Sequence, residues 1–205
     1  MNDMDFVKNT IVITNRKLVK GDYLAQIERV VKLKPKAIIL REKELAREEY
    51  RILAEQVQSI CAQNGVEMFV HSDVETATEI GAKSIHLSVN NAIGLHNVAN
   101  DKNYVNQLSR FDSLSISCHS LEDVKQAIEC GATQIVLGTI FETECKKGLK
   151  GRGLDFVKEI TDYCKDRGGI PVFAIGGIKP DNIGTVIDSG AAGGCMMSYM
   201  MEYGN

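Results

Sequence analysis

The sequence predicts an α/β fold in which eight parallel strands close into a barrel surrounded by helices, a (β/α)8 TIM barrel. Eight short apolar runs follow one another along the 205 residues, and amphipathic segments separate most of them. No linker or change in composition divides the chain, so residues 1–205 are expected to form a single domain. A doubly wound open sheet is the alternative, because it shows the same alternation of strands and helices.

The eight predicted strands are nearly continuous apolar runs, which is typical of parallel strands that are buried on both faces. The strands are expected at residues 10–15, 37–42, 67–72, 84–89, 113–118, 134–140, 171–177 and 193–198.

The predicted helices show apolar residues at spacings of three and four, as in "YLAQIERVVKL" and "REEYRILAEQVQSICAQNG". In "SLEDVKQAIECG", Ser120 is a candidate N-cap and Gly131 follows the expected end. In "KPDNIGTVIDSG", Pro180 is expected in the first helical turn. Only "YMMEYGN" follows strand eight, which predicts a shortened eighth helix. The N-terminal residues or a second subunit must then cover the barrel wall, and we expect a homodimer.

Composition and charge exclude several classes of partner. A net charge of −3 argues against a nucleic-acid surface, which requires a basic face. No apolar run approaches the roughly 18 residues of a membrane span, and the polar N-terminus does not resemble a secretory signal. The six cysteines form no CxxC pair, so we expect neither a metal site nor a disulfide framework, and we expect a reducing cytoplasm.

The loop "GTIFETECKKGLKGRG", residues 138–153, combines lysines and an arginine with several glycines. Glycine lets a backbone come close to a ligand, and the cations suit an anion. The loop could therefore cover a phosphorylated small molecule. A solvated connector is the alternative, because a run of charges is often only surface.

Chemistry in such barrels is located at the C-terminal ends of the strands. Arg41 and Lys43 stand at the end of strand two and are expected on one face, where two cations are unfavourable without an anion. His119 shares a face with Ser117 after strand five, and it is a candidate general acid or base. His86, within strand four, is expected to be a hydrogen-bonded core histidine.

The segments "AIGGI" and "CMMSY" stand at the ends of strands seven and eight. Many barrels bind phosphate there with backbone amides. A tight turn would also explain the two glycines.

Taken together, "IILREK", "GAKSIHLS", "SISCHSLEDVKQA", "FAIGGIKPDNI" and "GAAGGCMMS" resemble the thiamine phosphate synthase/TenI family from end to end. "FETECKKGLKGRG" is more similar to TenI, the thiazole tautomerase branch, because synthases usually have a proline where this chain has Glu142. The resemblance implies a thiazole phosphate tautomerase of thiamin biosynthesis that requires no cofactor. Thiamine phosphate synthase and a non-catalytic thiazole-phosphate-binding or regulatory protein are the alternatives.

The resemblance also assigns roles to single residues. The two aspartates that bind magnesium in synthases fall at Ser72 and Asn91, so no metal is expected. The histidine that tautomerases use after strand six falls at Thr139, whose hydroxyl is a poor base near pH 7. The catalytic candidates are therefore Thr139, His119 and Lys43. The expected substrate-binding residues are Arg41, His71, Ser117, Thr143, Lys146, Gly176, Gly177, Met197 and Ser198.

Overall fold

The computed structural model describes residues 5–99, 107–142 and 151–204. Eight parallel strands follow the chain order around a closed barrel, and the last strand pairs with the first. This closure confirms the (β/α)8 barrel and excludes the doubly wound open sheet. The strands are β1 (Thr10–Ile13), β2 (Ala37–Leu40), β3 (Glu67–His71), β4 (Ser84–Ser88), β5 (Ser113–Cys118), β6 (Gln134–Gly138), β7 (Val172–Ile175) and β8 (Gly193–Met196).

Helices follow each strand and cover the outside of the barrel. They are α1 (Tyr23–Lys32), α2 (Arg47–Gln63), α3 (Val74–Glu79), α4 (Val89–Ala99), α5 (Leu121–Glu129), α6 (Gly153–Lys165), α7 (Ile183–Asp188) and α8 (Ser198–Met201). Short 3-10 helices occupy Asp5–Asn9, Arg16–Leu18 and Gln107–Arg110. Within the described ranges, no helix combines the length and the apolar character that a membrane span requires.

The boundaries differ from the predicted ones where loop geometry intervenes. β7 ends at Ile175 because Gly176 and Gly177 adopt positive φ angles of 100° and 67°, which are incompatible with a strand. Pro180 lies before α7, not in its first turn as predicted. The Asn182 side chain accepts from the Lys179 amide and donates to the Gly177 carbonyl, both at 2.8 Å, and this turn delays the helix. Ser120 caps α5 as predicted.

The barrel interior has an apolar side and a polar side. Ile11, Ile39, Phe69 and Phe173 pack together inside the strands of the apolar side. On β4, β5 and β6 several inward positions are instead polar and buried, although Val136 of β6 belongs to the apolar cluster. These polar interior residues are Ser84, His86, Ser115 and Gln134.

The eighth helix is shortened to four residues, as predicted. The N-terminal 3-10 helix packs beside it, with the ring centroids of Phe6 and Tyr199 5.9 Å apart. The Gln26 amide of α1 donates to the carbonyls of Met200 and Tyr203, each at 3.0 Å. The chain itself therefore covers this wall. The homodimer stays a prediction, but the uncovered wall no longer supports it.

Tyr50 of α2 joins the ends of β2 and β3. Its buried hydroxyl donates to the Leu40 carbonyl at 2.7 Å and accepts from the His71 amide at 3.0 Å. This junction lies next to Arg41 and His71, which are both candidate site residues at the ends of these strands. The hydroxyl therefore adds a side-chain link between two strand ends that the backbone ladder already pairs.

We expect Tyr50→Phe to lower the free energy of unfolding by about 1–3 kcal/mol, because two buried backbone groups lose a partner. Urea unfolding followed by circular dichroism measures the change. Tyr163→Phe is the matched control, because the Tyr163 hydroxyl makes no hydrogen bond within the described residues. An equal loss in both variants would contradict the role of Tyr50.

Candidate active site

A cleft of about 1020 Å³ opens at the C-terminal ends of β2, β3 and β4. Its walls include Lys43, His71 and Ser72 on one side and Asn90 and Asn91 from the start of α4 on the other. These residues therefore lie at the end of the barrel where active sites of this fold are found. The cleft is large enough for a small phosphorylated molecule.

Arg41 and Lys43 form the cationic part of the mouth. β2 ends at Leu40, so the strand alternation that predicted a shared face does not extend to Lys43. Beyond the end of the strand, the Arg41 amide donates to the side-chain oxygen Thr14 Oγ1 at 2.9 Å, and Lys43 lines the cleft. Partial burial and then the charge of Arg41 lower the pKa of Lys43. Two cations that destabilise each other in this way are stabilised by an anion between them.

His71 stands at the end of β3, with its ring centroid 5.6 Å from that of His86. Burial, followed by the charges of Lys43 and Arg41, lowers the pKa of His71 to about 4. His71 is therefore neutral near pH 7. It can form hydrogen bonds with a ligand, but it does not add a third positive charge.

His86 is buried inside the barrel and is hydrogen-bonded, as expected. Its Nδ1 lies 2.8 Å from Ser115 Oγ, and its Nε2 lies 2.7 Å from Ser117 Oγ. Burial, followed by His71 and Lys43, lowers the pKa of His86 to about 3. The predicted ligand residue Ser117 is thus connected to the interior through a neutral imidazole.

His119 follows β5 and is oriented by hydrogen bonds. Its Nδ1 lies 2.7 Å from the Gly138 carbonyl, which can only accept, so Nδ1 must carry the hydrogen. Its amide donates to Asp123 Oδ2 at 2.7 Å, and its carbonyl accepts from the Arg152 guanidinium. The Nε2 of the neutral ring then carries the lone pair that a general base requires. The ring lies beside the end of β6.

Thr139 follows β6 and packs against the end of β7. A Cβ on Gly176 would overlap the Thr139 methyl group, and one on Gly177 would lie 2.8 Å from both the Glu142 carbonyl and Phe141 Cβ. Close contact between the two loops therefore requires these glycines, independently of any phosphate. The predicted neighbours Thr143 and Lys146 lie outside the described residues.

The ends of β7 and β8 offer amide donors. The two strands pair, so Gly177 and Ser198 are located at adjacent strand ends. Within the described residues, neither the Gly177 amide nor the Ser198 amide donates a hydrogen bond. Ser198 is exposed, and Met197 beside it is half-buried with its sulfur 3.9 Å from Asn15 Nδ2. These groups can bind a phosphate by hydrogen bonds alone.

The donor set does not fit the magnesium site of the resemblance. Ser72 and Asn91 line the cleft without supplying a carboxylate. Both oxygens of Asp73 are occupied, because they accept from the Thr76 amide at 2.9 Å and hydroxyl at 2.7 Å. Among the described residues, no three His, Cys, Asp or Glu side chains are grouped as metal ligands. Magnesium favours carboxylate oxygens, which these positions lack.

The sequence did not predict the contacts of two residues of this region. Arg152 lies in the cationic loop, and it contacts the His119 carbonyl instead of solvent alone. Ser115 is two residues before Ser117, so the strand period would have placed both on the inner face. Its contact with His86 had no signal in the sequence.

The comparisons with known proteins identify the family of this chain. A family model described as thiamine monophosphate synthase matches residues 10–200. A thiamine-phosphate synthase of Bacillus licheniformis is 33% identical over 188 residues, which cover 89% of this chain and 78% of that protein. For the Bacillus velezensis enzyme of the same name the identity is 30%, covering 77% of this chain and 66% of the relative.

Solved structures share the fold. Thiamine phosphate pyrophosphorylase from Pyrococcus furiosus superposes with a TM-score of 0.79 at 23% identity, covering 99% of this chain and 91% of that one. The protein of the same name from Bacteroides thetaiotaomicron gives a TM-score of 0.57 at 20% identity, covering 92% and 82%. At these identities the likeness shows the barrel architecture alone.

We expect Ser198→Asp to weaken binding of thiazole phosphate at least about tenfold, because its carboxylate would repel an anion at the free amides. The first position of a helix tolerates aspartate, so the fold should be preserved. Ser198→Asn, similar in shape and neutral, is the control. Isothermal titration calorimetry measures both dissociation constants, and equal affinities would contradict the phosphate site.

Proposed function

The chain belongs to the thiamine monophosphate synthase/TenI family of thiamin biosynthesis, and from this premise we propose that it is a thiazole phosphate tautomerase. The observation that carries the proposal is the hydrogen bond from His119 to the Gly138 carbonyl. It holds the His119 ring beside the end of β6, near the position where the resemblance expects the catalytic histidine, and it leaves Nε2 as the basic nitrogen of the neutral ring.

In the proposed reaction, the Gly177 and Ser198 amides bind the phosphate of the substrate. His119 Nε2 removes a proton from the ring system, and a proton returns at a second carbon so that the ring becomes aromatic. Atoms and charge are unchanged overall, so no oxidant or leaving group is required. Arg41 and Lys43 stabilise the enolate-like charge that develops when the first proton leaves.

Thr139 sets the expected speed of this reaction. Its hydroxyl cannot replace imidazole as a base near pH 7, so His119 must act from the neighbouring strand. His71 and Ser117 complete the mouth as hydrogen-bonding groups, and Met197 supplies an apolar contact. Thr143 and Lys146, which lie outside the described residues, stay predicted ligand-binding residues. The resulting enzyme is expected to be slow but active.

Thiamine phosphate synthase is the second candidate function, and it is the activity after which the relatives are named. The paired cations Arg41 and Lys43 would also suit a diphosphate. Against it stands the chemistry of Ser72 and Asn91, which replace two carboxylates.

Cytoplasmic location is also a proposal, supported by the five described cysteines, all free and buried: Cys61, Cys118, Cys130, Cys164 and Cys195.

We expect Thr139→His to raise the tautomerase rate by about tenfold or more, because general acid–base catalysis is typically worth about 10²–10⁴-fold. His119→Ala should remove most of the activity of the unmodified chain. His119→Gln, which retains a polar group, is the control. The assay follows aromatic absorbance of one thiazole carboxylate phosphate. Fast turnover that neither variant changes would contradict the assignment. Tight binding without turnover in all the proteins would favour a binding protein.

We expect millimolar magnesium to change ligand affinity by at most about twofold in the unmodified chain, since Ser72 and Asn91 supply no carboxylate at the two positions where the resemblance expects magnesium ligands. Ser72 has a φ of +65°, a conformation that aspartate accepts well. The double variant Ser72→Asp/Asn91→Asp should therefore gain magnesium dependence, whereas Ser72→Asn should not. Coupling of pyrimidine diphosphate with thiazole phosphate is assayed in parallel. Saturable magnesium stimulation of coupling by the unmodified chain would support the synthase instead.

A further inference from the structure

A hydrogen-bonded chain connects the barrel interior to its mouth through Ser115, His86 and Ser117. Ser115 is fully buried and His86 is 4% exposed, whereas Ser117 lies half-buried at the mouth. We propose that His86 is a positioning residue that holds the Ser117 hydroxyl as a hydrogen-bond donor to an anionic oxygen of the ligand.

The direction of the chain follows from its buried end. A neutral imidazole has one N–H donor and one lone-pair acceptor. Ser115 Oγ makes no hydrogen bond other than that to His86 within the described residues. If His86 Nδ1 donated to it, the buried Ser115 hydrogen would have no acceptor, which is unfavourable. The Ser115 hydroxyl therefore donates to Nδ1, and the imidazole hydrogen resides on Nε2.

Gln134 supports the same direction. It lies on β6 in register with Ser115, and its buried Nε2 has no hydrogen-bond partner in the described part of the chain. A second N–H donor beside Ser115 is compatible with an oxygen that presents its lone pairs. If the Ser115 hydrogen pointed toward Gln134 instead, it would face the hydrogens of the Gln134 amide.

The consequence at the mouth is a change in what Ser117 presents. With Nε2–H donating to Ser117 Oγ, the serine hydrogen is free to point toward a ligand. With the other tautomer, Ser117 would donate inward and turn only lone pairs toward the ligand. An O–H donor suits an anion that Arg41 and Lys43 attract, whereas exposed lone pairs would repel it. His86 keeps this direction because burial leaves its ring neutral.

The identity of the anionic ligand rests on the proposed function, but the tautomer of His86 does not. Nitrogen-15 NMR of the unmodified protein at pH 7 reports which ring nitrogen carries the hydrogen. We expect the Nε2–H form for His86. The Nδ1–H form would overturn the proposal regardless of ligand, and this measurement requires no variant that might fail to fold.

A double-mutant cycle tests the link to binding. Ser117→Ala should weaken affinity for the thiazole carboxylate phosphate by about tenfold or more, the usual scale for a hydrogen bond to a charged group. Ser115→Ala, although remote from the ligand, should weaken it by about threefold, because the tautomer is no longer enforced. In the Ser117→Ala background, Ser115→Ala should add less than about twofold, since it acts through Ser117. Additive effects would overturn the proposal.

Ser84→Ala is the matched control for these variants. Ser84 is a buried barrel hydroxyl on β4, but it bonds to Glu67 at 2.6 Å and not to His86. We expect it to leave the His86 tautomer and the ligand affinity unchanged. An effect on affinity equal to that of Ser115→Ala would show a general packing role and overturn the proposal.

Two probes identify the anionic oxygen, namely thiazole phosphate with and without the ring carboxylate. If Ser117 donates to the carboxylate, the cycle appears only with the first probe. If it donates to the phosphate, the cycle appears with both. A protein that shows the Nε2–H form of His86 and non-additive effects in the cycle, but no tautomerase turnover, would support this inference and reject the proposed function.

Discussion

Closure of the parallel barrel is the constraint on which the site depends. Each strand is paired on both sides, so its register cannot shift without breaking two ladders. The pairing places His71, His86, Ser115 and Gln134 in one row across β3 to β6. Inward-facing residues that come later in these strands therefore lie at the mouth of the barrel. The positions of Ser117 and the strand-end loops follow from this geometry and not from local preference.

Charge is distributed so that only the rim of the mouth is ionised. Burial lowers the pKa of both His71 and His86, and the cations above them lower it further. Neutral imidazoles can accept and donate hydrogen bonds without adding to the repulsion between Arg41 and Lys43. Such a mouth favours an anionic ligand. The neutral imidazole of His86 also allows the barrel interior to be polar without a buried charge at this position, which would be unfavourable.

The family relationship and the donor set give information at different levels. The barrel and the phosphate end are common to a family that supports more than one reaction, so the fold alone does not select one. Selection depends on a few side chains at strand ends. Here Ser72 and Asn91 depart from the synthase pattern, and Thr139 departs from the tautomerase pattern. The proposal of a tautomerase rests on His119, whose ring is held beside the end of β6.

The sequence by itself determined the eight strands, the short α8, the cap at Ser120 and the strand ends that carry the site, because these follow from local periodicity and chain order. It predicted that His86 would be buried, but not its two serine partners, which lie 29 and 31 residues away. The link from His119 to Gly138 and the contact of Gly176 with Thr139 also depend on neighbouring strands. Only the tertiary structure decided these contacts, because barrel register joins residues that no local pattern relates.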